Sequence, residues 1–194
     1  MKKIYLILIS LSITIYAFPQ KGIVINSDGV LKLNGEVTIK IGDDLSFVNH
    51  SQNNIFEGNI ELNGNDLQFI TGNETSEFKD LIINNSTGIE TENDVFVSGE
   101  LHIVDGIITL NDNYLTLRSS SELNGTFSSS AMINADGSGM LVQEIENPGT
   151  FIFPVGDAST DIDYSPVQFI FNSGTFSDAV LQVRVSNNKH PNNT

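Results

Sequence analysis

The sequence contains no cysteine and no tryptophan. Without thiols the chain forms no disulfide and offers no thiolate as a nucleophile, metal ligand or lipid-anchoring group. The missing tryptophan, with only four tyrosines, leaves few of the aromatic platforms on which sugars usually stack. Stability must therefore come from apolar burial and from regular backbone pairing.

Positive charge is scarce as well. Nine Lys and Arg face 24 Asp and Glu, a formal net charge of −15. Such a chain repels phosphate backbones and anionic lipid, so we expect neither nucleic-acid nor membrane-surface binding. High charge is also typical of disorder. Here 39% hydrophobic residues in short, regular runs indicate a folded protein instead.

Only one long apolar run is present, at the N-terminus. Lys2 and Lys3 precede the run Ile4 to Tyr16, and the small residue Ala17 follows it. This order is typical of a secretory signal peptide, predicted over residues 1–17. A membrane anchor is the alternative, but the run is shorter than the roughly 20 residues of a spanning helix. We expect an exported protein without a membrane span after cleavage.

From Gly22 to about residue 117, no window shows the apolar spacing of a helix. Instead, short runs such as GIVIN, EVTIKIG, DLIIN and YLTLR alternate apolar and polar residues, as a strand with one buried face requires. Asn, Asp, Gly and Ser separate them, and these residues favour tight turns. The pattern predicts an all-β protein.

A loose repeat runs through this region. The motif LKLNG (Leu31–Gly35) recurs as IELNG (Ile60–Gly64), with weaker echoes in LIINN (Leu81–Asn85) and ITLND (Ile108–Asp112). Separations of 21 to 29 residues are close to one coil of a solenoid. We predict a short parallel, β-helix-like β-solenoid with three short faces over residues 22–139. An antiparallel sandwich is the alternative.

The composition changes after residue 139. Longer runs such as MLVQEIE, TFIFPVG and AVLQVRV appear, with Pro148, Pro154 and Pro166 between them. Proline is tolerated at strand edges, where no N–H is needed. Residues 140–194 are predicted to form a partial, β-sandwich-like module.

The segments GTFIFPVGD (Gly149–Asp157), YSPVQFIF (Tyr164–Phe171) and Leu181–Thr194, together with the preceding coils, resemble large secreted surface proteins of Bacteroidota-type bacteria. This resemblance implies export, often by a type IX route with a C-terminal sorting domain, to the cell surface or the medium. It also implies further strands beyond Thr194, so the chain is expected to be a truncated piece. Proteins of this kind mostly have no defined biochemical activity.

The stretch LHIVDGIITLNDNYLTL, from Leu101 to Leu117, combines a histidine with several acidic and amide residues. Its alternation predicts an inward-facing set that comprises Leu101, Ile103, Ile108, Leu110, Leu115 and Leu117. His102 is then the best candidate for a general base, but it is predicted to share an outer row with Thr109 and Thr116. Asp105-Gly106 and Asn111-Asp112-Asn113 fit turns better than catalysis. We interpret the stretch as structural.

Metal sites are weakly indicated. His50, His102 and His190 are far apart in sequence, which disfavours a zinc site. The loop GDASTDIDYSP presents Asp157, Asp161 and Asp163, and oxygen-rich loops suit calcium. Calcium is therefore the one cofactor that the sequence suggests, although the loop lacks an EF-hand pattern, and a calcium-dependent adhesive module is one alternative function.

A carbohydrate-active β-helix enzyme is the main alternative to a structural protein. A hydrolase needs two carboxylates across a cleft, for which Asp43-Asp44 or Asp161 with Asp163 could serve. A lyase on anionic sugars needs clustered cations, and the basic residues here are scattered. The N-x-S/T triplets, such as Asn73-Glu74-Thr75, carry little information in so Asn-rich a chain. The sequence predicts a secreted or cell-surface, adhesin-like scaffold that binds other surface proteins or glycans, with no enzyme activity.

Overall fold

The structure is a computed structural model, and it describes residues 22–33, 36–53, 55–159 and 161–186. These residues form strands and turns, with no helix among them. The strands are β1 (Gly22–Ile25), β2 (Thr38–Ile41), β3 (Ser46–Asn49), β4 (Ile55–Leu62), β5 (Gln68–Gly72), β6 (Ser76–Asn84), β7 (Ile89–Thr91), β8 (Val95–Asp105), β9 (Ile108–Thr109), β10 (Tyr114–Leu117), β11 (Glu122–Gly125), β12 (Ile133–Asn134), β13 (Met140–Ile145), β14 (Thr150–Phe153), β15 (Val155–Asp157), β16 (Asp163–Tyr164), β17 (Val167–Ile170) and β18 (Ala179–Val183).

Two long sheets run the length of the molecule. The first sheet has the order β1-β3-β5-β7-β9-β12-β15-β16, and the second has the order β18-β13-β10-β8-β6-β4-β2, with β11 also on β8. Neighbours are parallel except for β16 and β18. Because the chain alternates between the sheets and each strand pairs one turn later, the strands form a β-solenoid of about 6 turns. The predicted all-β solenoid is confirmed.

Strands of the second sheet form two of the sides of a coil. In β8, Val95–Val97 pairs with β10, whereas Glu100–Ile103 pairs with β11. The register shifts between Phe78 and Asp80 in β6, and between Phe56 and Asn59 in β4. Bulges bend a strand and re-aim its side chains. Each coil therefore has three short faces: face 1 is the first sheet, face 2 lies before the bulges and face 3 after them.

The register corrects part of the repeat inferred from the motifs. Ile60 pairs with Leu81, so the IELNG and LIINN motifs do occupy equivalent positions. On its other side Ile60 pairs with Ile39 and not with Leu31. Ile108 lies on face 1 between Ile89 and Ile133, so ITLND does not continue the same row. The motif spacing does not follow one row, because ITLND lies on a different face and because coil length varies, from 19 residues between Ile89 and Ile108 to 26 between Tyr114 and Met140.

One apolar core fills the interior from Ile25 to Val183. Ile60, Leu81 and Leu101 stack on successive coils of face 3, and each is at most 1% exposed. Phe56 and Phe78 stack on face 2 and meet the ring of Phe47 from face 1, with centroids 4.9 Å from it. Burying a side chain of this size stabilises the fold by about 1.5–3 kcal/mol, so the repeated rows supply most of the stability.

Buried polar side chains connect the coils at their corners. Gln68 Nε2 donates to the carbonyls of Ile41 (2.8 Å) and Leu45 (2.7 Å), which belong to the preceding coil. Its Oε1 accepts from the Gly64 backbone N–H (2.8 Å) and from Asn85 Nδ2 (2.9 Å) in the following coil. With two bonds donated and two accepted, this buried amide is fully hydrogen-bonded. Gln68 thus connects three coils.

The corner at Gly106 shows how closely the coils approach. Gly106 has φ of 101°, in the region that favours glycine. A Cβ there would lie 1.9 Å from the carbonyl oxygen of Asn85 in the preceding coil. The predicted Asp105-Gly106 turn is therefore a coil corner that only glycine can form.

The C-terminal end departs from the coil pattern. Parallel pairing continues past residue 139, since β13 pairs with β10 and β15 with β12. The solenoid thus extends to Asp157, beyond the boundary of 139 expected from composition. Antiparallel strands follow: β16 on β15, β18 on β13, and β14 with β17 as a separate pair. The β-sandwich-like module predicted for residues 140–194 is not shown as such and stays a prediction, and residues 187–194 lie outside the described part.

The predicted signal peptide, residues 1–17, also lies outside the described residues. Within the residues that are described, no helix is available that could cross a bilayer.

Candidate functional site

The stretch from Leu101 to Leu117 forms the interior of two coils, as predicted. The six residues expected to face inward are each at most 1% exposed; they are Leu101, Ile103, Ile108, Leu110, Leu115 and Leu117. Asp112 lies in a turn closed by the Asn113 N–H donating to the Leu110 carbonyl (2.9 Å). His102, Asp105 and Asp112 occupy a strand, its end and the next corner. The stretch brings no catalytic group together.

The predicted outer row of His102, Thr109 and Thr116 is wrong. His102 lies on face 3, Thr109 on face 1 and Thr116 on face 2, where it pairs with Phe96 and is only 8% exposed. The corners between these strands turn the chain by a whole face, which residue spacing alone does not reveal. The real row through His102 runs across the coils and comprises Lys40, Glu61, Ile82, His102 and Asn124.

His102 does have an acidic neighbour that the sequence interpretation missed. Its Nδ1 lies 3.7 Å from Glu100 Oε1, and both side chains are 42% exposed. The same Glu100 oxygen accepts a hydrogen bond from Asn124 Nδ2 (3.0 Å). Residues i and i+2 of a strand share a face, so the pair could have been found from spacing once β8 was recognised. At 3.7 Å the contact is an ion pair when His102 is protonated and is too long for an orienting hydrogen bond.

An acidic groove of about 560 Å³ lies where β4, β6 and β8 bend between faces 2 and 3. Four carboxylates and one ammonium group line it: Glu36, Glu57, Asp80, Glu100 and Lys79. Leu33, Gly58, Asn59 and Ile82 complete its lining. Its volume is within the range of small-ligand sites, which makes it the strongest candidate site in the described residues.

One of these carboxylates already has a structural role. Asp80 Oδ1 accepts a hydrogen bond from the backbone N–H of Glu100 (2.8 Å) in the next coil. This contact supports the bend of β8, and Gly99 leaves room for it, since a Cβ there would lie 2.4 Å from Asp80 Oδ1. The other three groove acids are Glu36, Glu57 and Glu100, of which Glu100 also accepts a hydrogen bond from Asn124.

The other acid pairs proposed from sequence are surface turns. Asp43 and Asp44 are both exposed, and Asp43 adopts φ of 48° in a turn closed by Leu45 N–H donating to Gly42 O (3.2 Å).

Two triplets of the N-x-S/T type also form corners. Asn49 Oδ1 accepts from the Ser51 N–H, and Asn85 Oδ1 from the Thr87 N–H, each at 2.9 Å. Both asparagines are buried, so they stabilise turns.

The predicted calcium loop is the connection from β15 to β16. Asp157 is buried, and its Oδ1 accepts from both the N–H (2.8 Å) and the hydroxyl (2.7 Å) of Ser159. Asp163 is opposite Asp157 in the antiparallel pair but is exposed, as is Asp161. In the part of the chain that the structure describes, no group of three or more His, Cys, Asp or Glu is placed to hold a metal ion. Calcium binding here stays a prediction.

The histidines considered for zinc are separated. His50 follows β3 on face 1, and His102 lies on β8 on face 3. His50 Nδ1 is buried and has no hydrogen-bond partner. His190 lies outside the described residues. The two described histidines, His50 and His102, are not brought together by the coils.

The two tyrosines left after the predicted cleavage are unlike each other. Tyr114 is 40% exposed on β10, whereas burial raises the pKa of Tyr164 above its ordinary value. Among the described aromatic residues only Tyr114 is exposed, and rings such as Tyr164 and Phe171 are half-buried, so the described surface offers few open ring faces for a sugar.

Arg118 forms the most connected polar contact on the surface. Its Nη2 lies 2.7 Å from Glu77 Oε2, and its Nη1 lies 2.8 Å from Glu144 Oε1. The guanidinium also lies 4.4 Å from the centroid of the Phe96 ring. The hydrogen bond to Glu77 chiefly raises the pKa of Arg118, opposed by burial and reinforced by Glu144. We name Glu77, Phe96, Arg118 and Glu144 the arginine clamp, because they link β6, β8, β10 and β13.

No protein-family model matches the sequence, and neither the curated proteins nor the solved structures include a significant match. The function must therefore be argued from the chain's own geometry.

Proposed function

We propose that this protein is a non-enzymatic secreted or cell-surface scaffold, a rigid segment that presents other surface proteins or glycans in an adhesin-like manner. The observation that supports it best is the continuous interior, in which one core extends from Ile25 to Val183. Each coil buries its apolar face against the next coil, so a solenoid is lengthened by adding coils of the same topology. At about 4.8 Å per coil, the stack is a short rod.

Contacts between coils make this rod stiff. Gln68 connects three coils from inside, and the arginine clamp connects four strands from outside. Both depend on neighbouring coils holding one register, because a slip by one residue would turn inward side chains outward. Such contacts suit a spacer that must keep a fixed orientation between its ends.

Localisation and scaffold function are tested together by surface labelling. The full chain is expressed in a bacterium with an epitope tag at its C-terminus. Intact cells are then treated with an antibody against the tag, or with a protease added outside the cells. We expect an accessible epitope, and retention in the cytoplasm when residues 4–16 are deleted. An epitope that is reached only after lysis would overturn the surface proposal.

The spacer function is tested by removing one coil in register. Asn59 pairs with Asp80 and Ile60 with Leu81, so deletion of residues 60–80 joins equivalent positions. We expect a folded chain, shorter by about 4.8 Å, whose epitope remains on the surface. A folded deletion variant that loses display would show that this coil does more than add length.

A second function is favoured by one observation, the acidic groove. Two carboxylates across a sugar cleft are the machinery of glycoside hydrolysis, and Glu57 and Glu100 line one groove. The alternative of a carbohydrate-active enzyme predicts that the chain releases reducing ends from a polysaccharide. Glu57→Gln and Glu100→Gln should abolish that activity, whereas the control Glu122→Gln, on an exposed residue outside the groove, should keep it.

A further inference from the structure

The last strand of the second sheet has a free edge. In the described part of the chain, β18 pairs with β13 on one side and with no strand on the other. Val180 on this strand is 50% exposed. An unpaired edge presents backbone N–H and C=O groups that can pair with another strand. The surface is therefore suited to strand addition.

The sequence around this edge is complementary to itself. Asp178 and Arg184 flank β18, three residues before and after Leu181. Both are exposed; Arg184 follows the alternation of Val180 and Gln182, whereas Asp178 lies in the bend before the strand, with φ of 51°. Within the described residues, Arg184 forms no ion pair. Opposite charges at equal distances from one residue are what a two-fold axis through that residue brings together.

We propose that β18 pairs antiparallel with β18 of a second copy of this chain, about a two-fold axis at Leu181. Asp178 then lies opposite Arg184 of the second copy, and Arg184 opposite its Asp178, while Val180 lies opposite Gln182. Inward residues also meet inward residues, so the half-buried Leu181 is covered by its own counterpart. The second sheet continues across the two molecules.

The charge of the chain explains why this edge is favoured for self-association. A net charge of −15 repels a second copy over most approaches. One acid and one base flank β18, Asp178 before it and Arg184 after it, so the charge around this edge is locally balanced. At physiological ionic strength the screening length is about 8 Å, which weakens the repulsion between distant charges more than the contact between opposed pairs.

Charge reversal on the full chain tests the pairing, with the dimer dissociation constant measured by sedimentation equilibrium. Arg184→Asp places four acids at the axis, and Asp178→Arg places four bases there. Each is expected to raise the dissociation constant roughly tenfold or more. The double variant exchanges the two charges and should restore the original constant. Lys32→Asp is the control: it makes the same change in net charge as Arg184→Asp, on an exposed residue at the opposite end of the second sheet from β18.

The urea midpoint of every variant is measured first, so that loss of folding is not mistaken for loss of pairing. A chain that stays monomeric at every concentration would overturn the proposal. A dimer whose dissociation constant is unchanged by both charge reversals would also overturn it. Association through the apolar residues 4–16 would give that result. A monomer whose β18 edge instead captures an added extended peptide would show that the edge accepts another chain.

Discussion

The coils and the C-terminal end are built from similar strands but bury them differently. In β6, the inward residues Phe78, Leu81 and Ile83 are at most 1% exposed, and a coil lies on each side of the strand. In β14 and β17, Ile152 and Ile170 remain 48% and 58% exposed. A parallel coil is covered by its neighbours, whereas an antiparallel end has one neighbour at most. The antiparallel C-terminal strands end the stack of coils, but they leave apolar side chains exposed and one strand edge unpaired.

The largest expected contrast lies in the aromatic residues of the two regions. Phe56→Ala should lower the free energy of unfolding by about 3–5 kcal/mol, because it empties a fully buried position between Phe47 and Phe78. Phe171→Ala, in the half-buried cluster with Phe151 and Phe176, should cost clearly less. Urea unfolding measures both. Equal losses would contradict the idea that the coils contribute most of the stability.

Buried glutamines provide a second, smaller contrast. Gln68→Ala should cost about 3 kcal/mol, because the Leu45 carbonyl and the Gly64 N–H lose their hydrogen bond to Gln68, and the Ile41 carbonyl and Asn85 each lose one of two partners. Gln143 Nε2 donates only to the carbonyls of Arg118 (3.2 Å) and Glu144 (3.0 Å), near the C-terminal end. Gln143→Ala should cost about 1 kcal/mol. Urea unfolding measures both losses. A larger loss of unfolding free energy for Gln143→Ala than for Gln68→Ala would contradict this expectation.

The arginine clamp spans the boundary between the regions. Arg118→Met keeps the packing on Phe96 but removes both ion pairs, and should destabilise by about 1 kcal/mol, because the groups are partly exposed. The folded pKa of Arg118 is raised above its ordinary value, chiefly by the hydrogen bond to Glu77. The contribution of the clamp to stability is therefore complete below the ordinary pKa of arginine and is lost only as the pH rises through the folded pKa. A urea midpoint difference that varied between pH 6 and 9 would contradict this assignment.

The expected effect of calcium on the melting temperature is smaller still. Asp157 already accepts two hydrogen bonds from Ser159, so its carboxylate gains little from an added ion. Calcium and a chelator should leave the melting temperature unchanged. A rise of several degrees that Asp163→Asn abolishes would establish a calcium site in the loop, since a ligand of the folded state must stabilise it.

The smallest effect concerns a fully exposed turn. The hydroxyl and backbone N–H of Ser138 lower the pKa of Asp112 below its ordinary 3.8. This contribution is present above pH 3.8 and is lost as the pH falls through the folded value. Ser138→Ala should return the pKa of Asp112 towards 3.8 in an NMR titration, without a change in the fold. An unchanged pKa would show that the hydroxyl bond is absent in solution.

Local alternation was enough to predict much of the fold, and the groove shows where it failed. The inward residues from Leu101 to Leu117 follow from a period of two, which each strand obeys by itself. Glu57 and Glu100 lie 43 residues apart and share a groove only because two bulges bend β4 and β6. Bulges leave no clear signature in one sequence, so neither this pairing nor the true row through His102 could be found.

The sequence by itself determined the all-β class, the inward residues and the turn residues at the corners, because these depend on side-chain period and local backbone preference. Tertiary structure decided which coils are in register, since their lengths differ and only packing of the common core selects a partner for each strand. It also decided that the parallel stack extends to Asp157 and ends at the free edge of β18. Direction of pairing is a property of two strands together, and no single strand contains it.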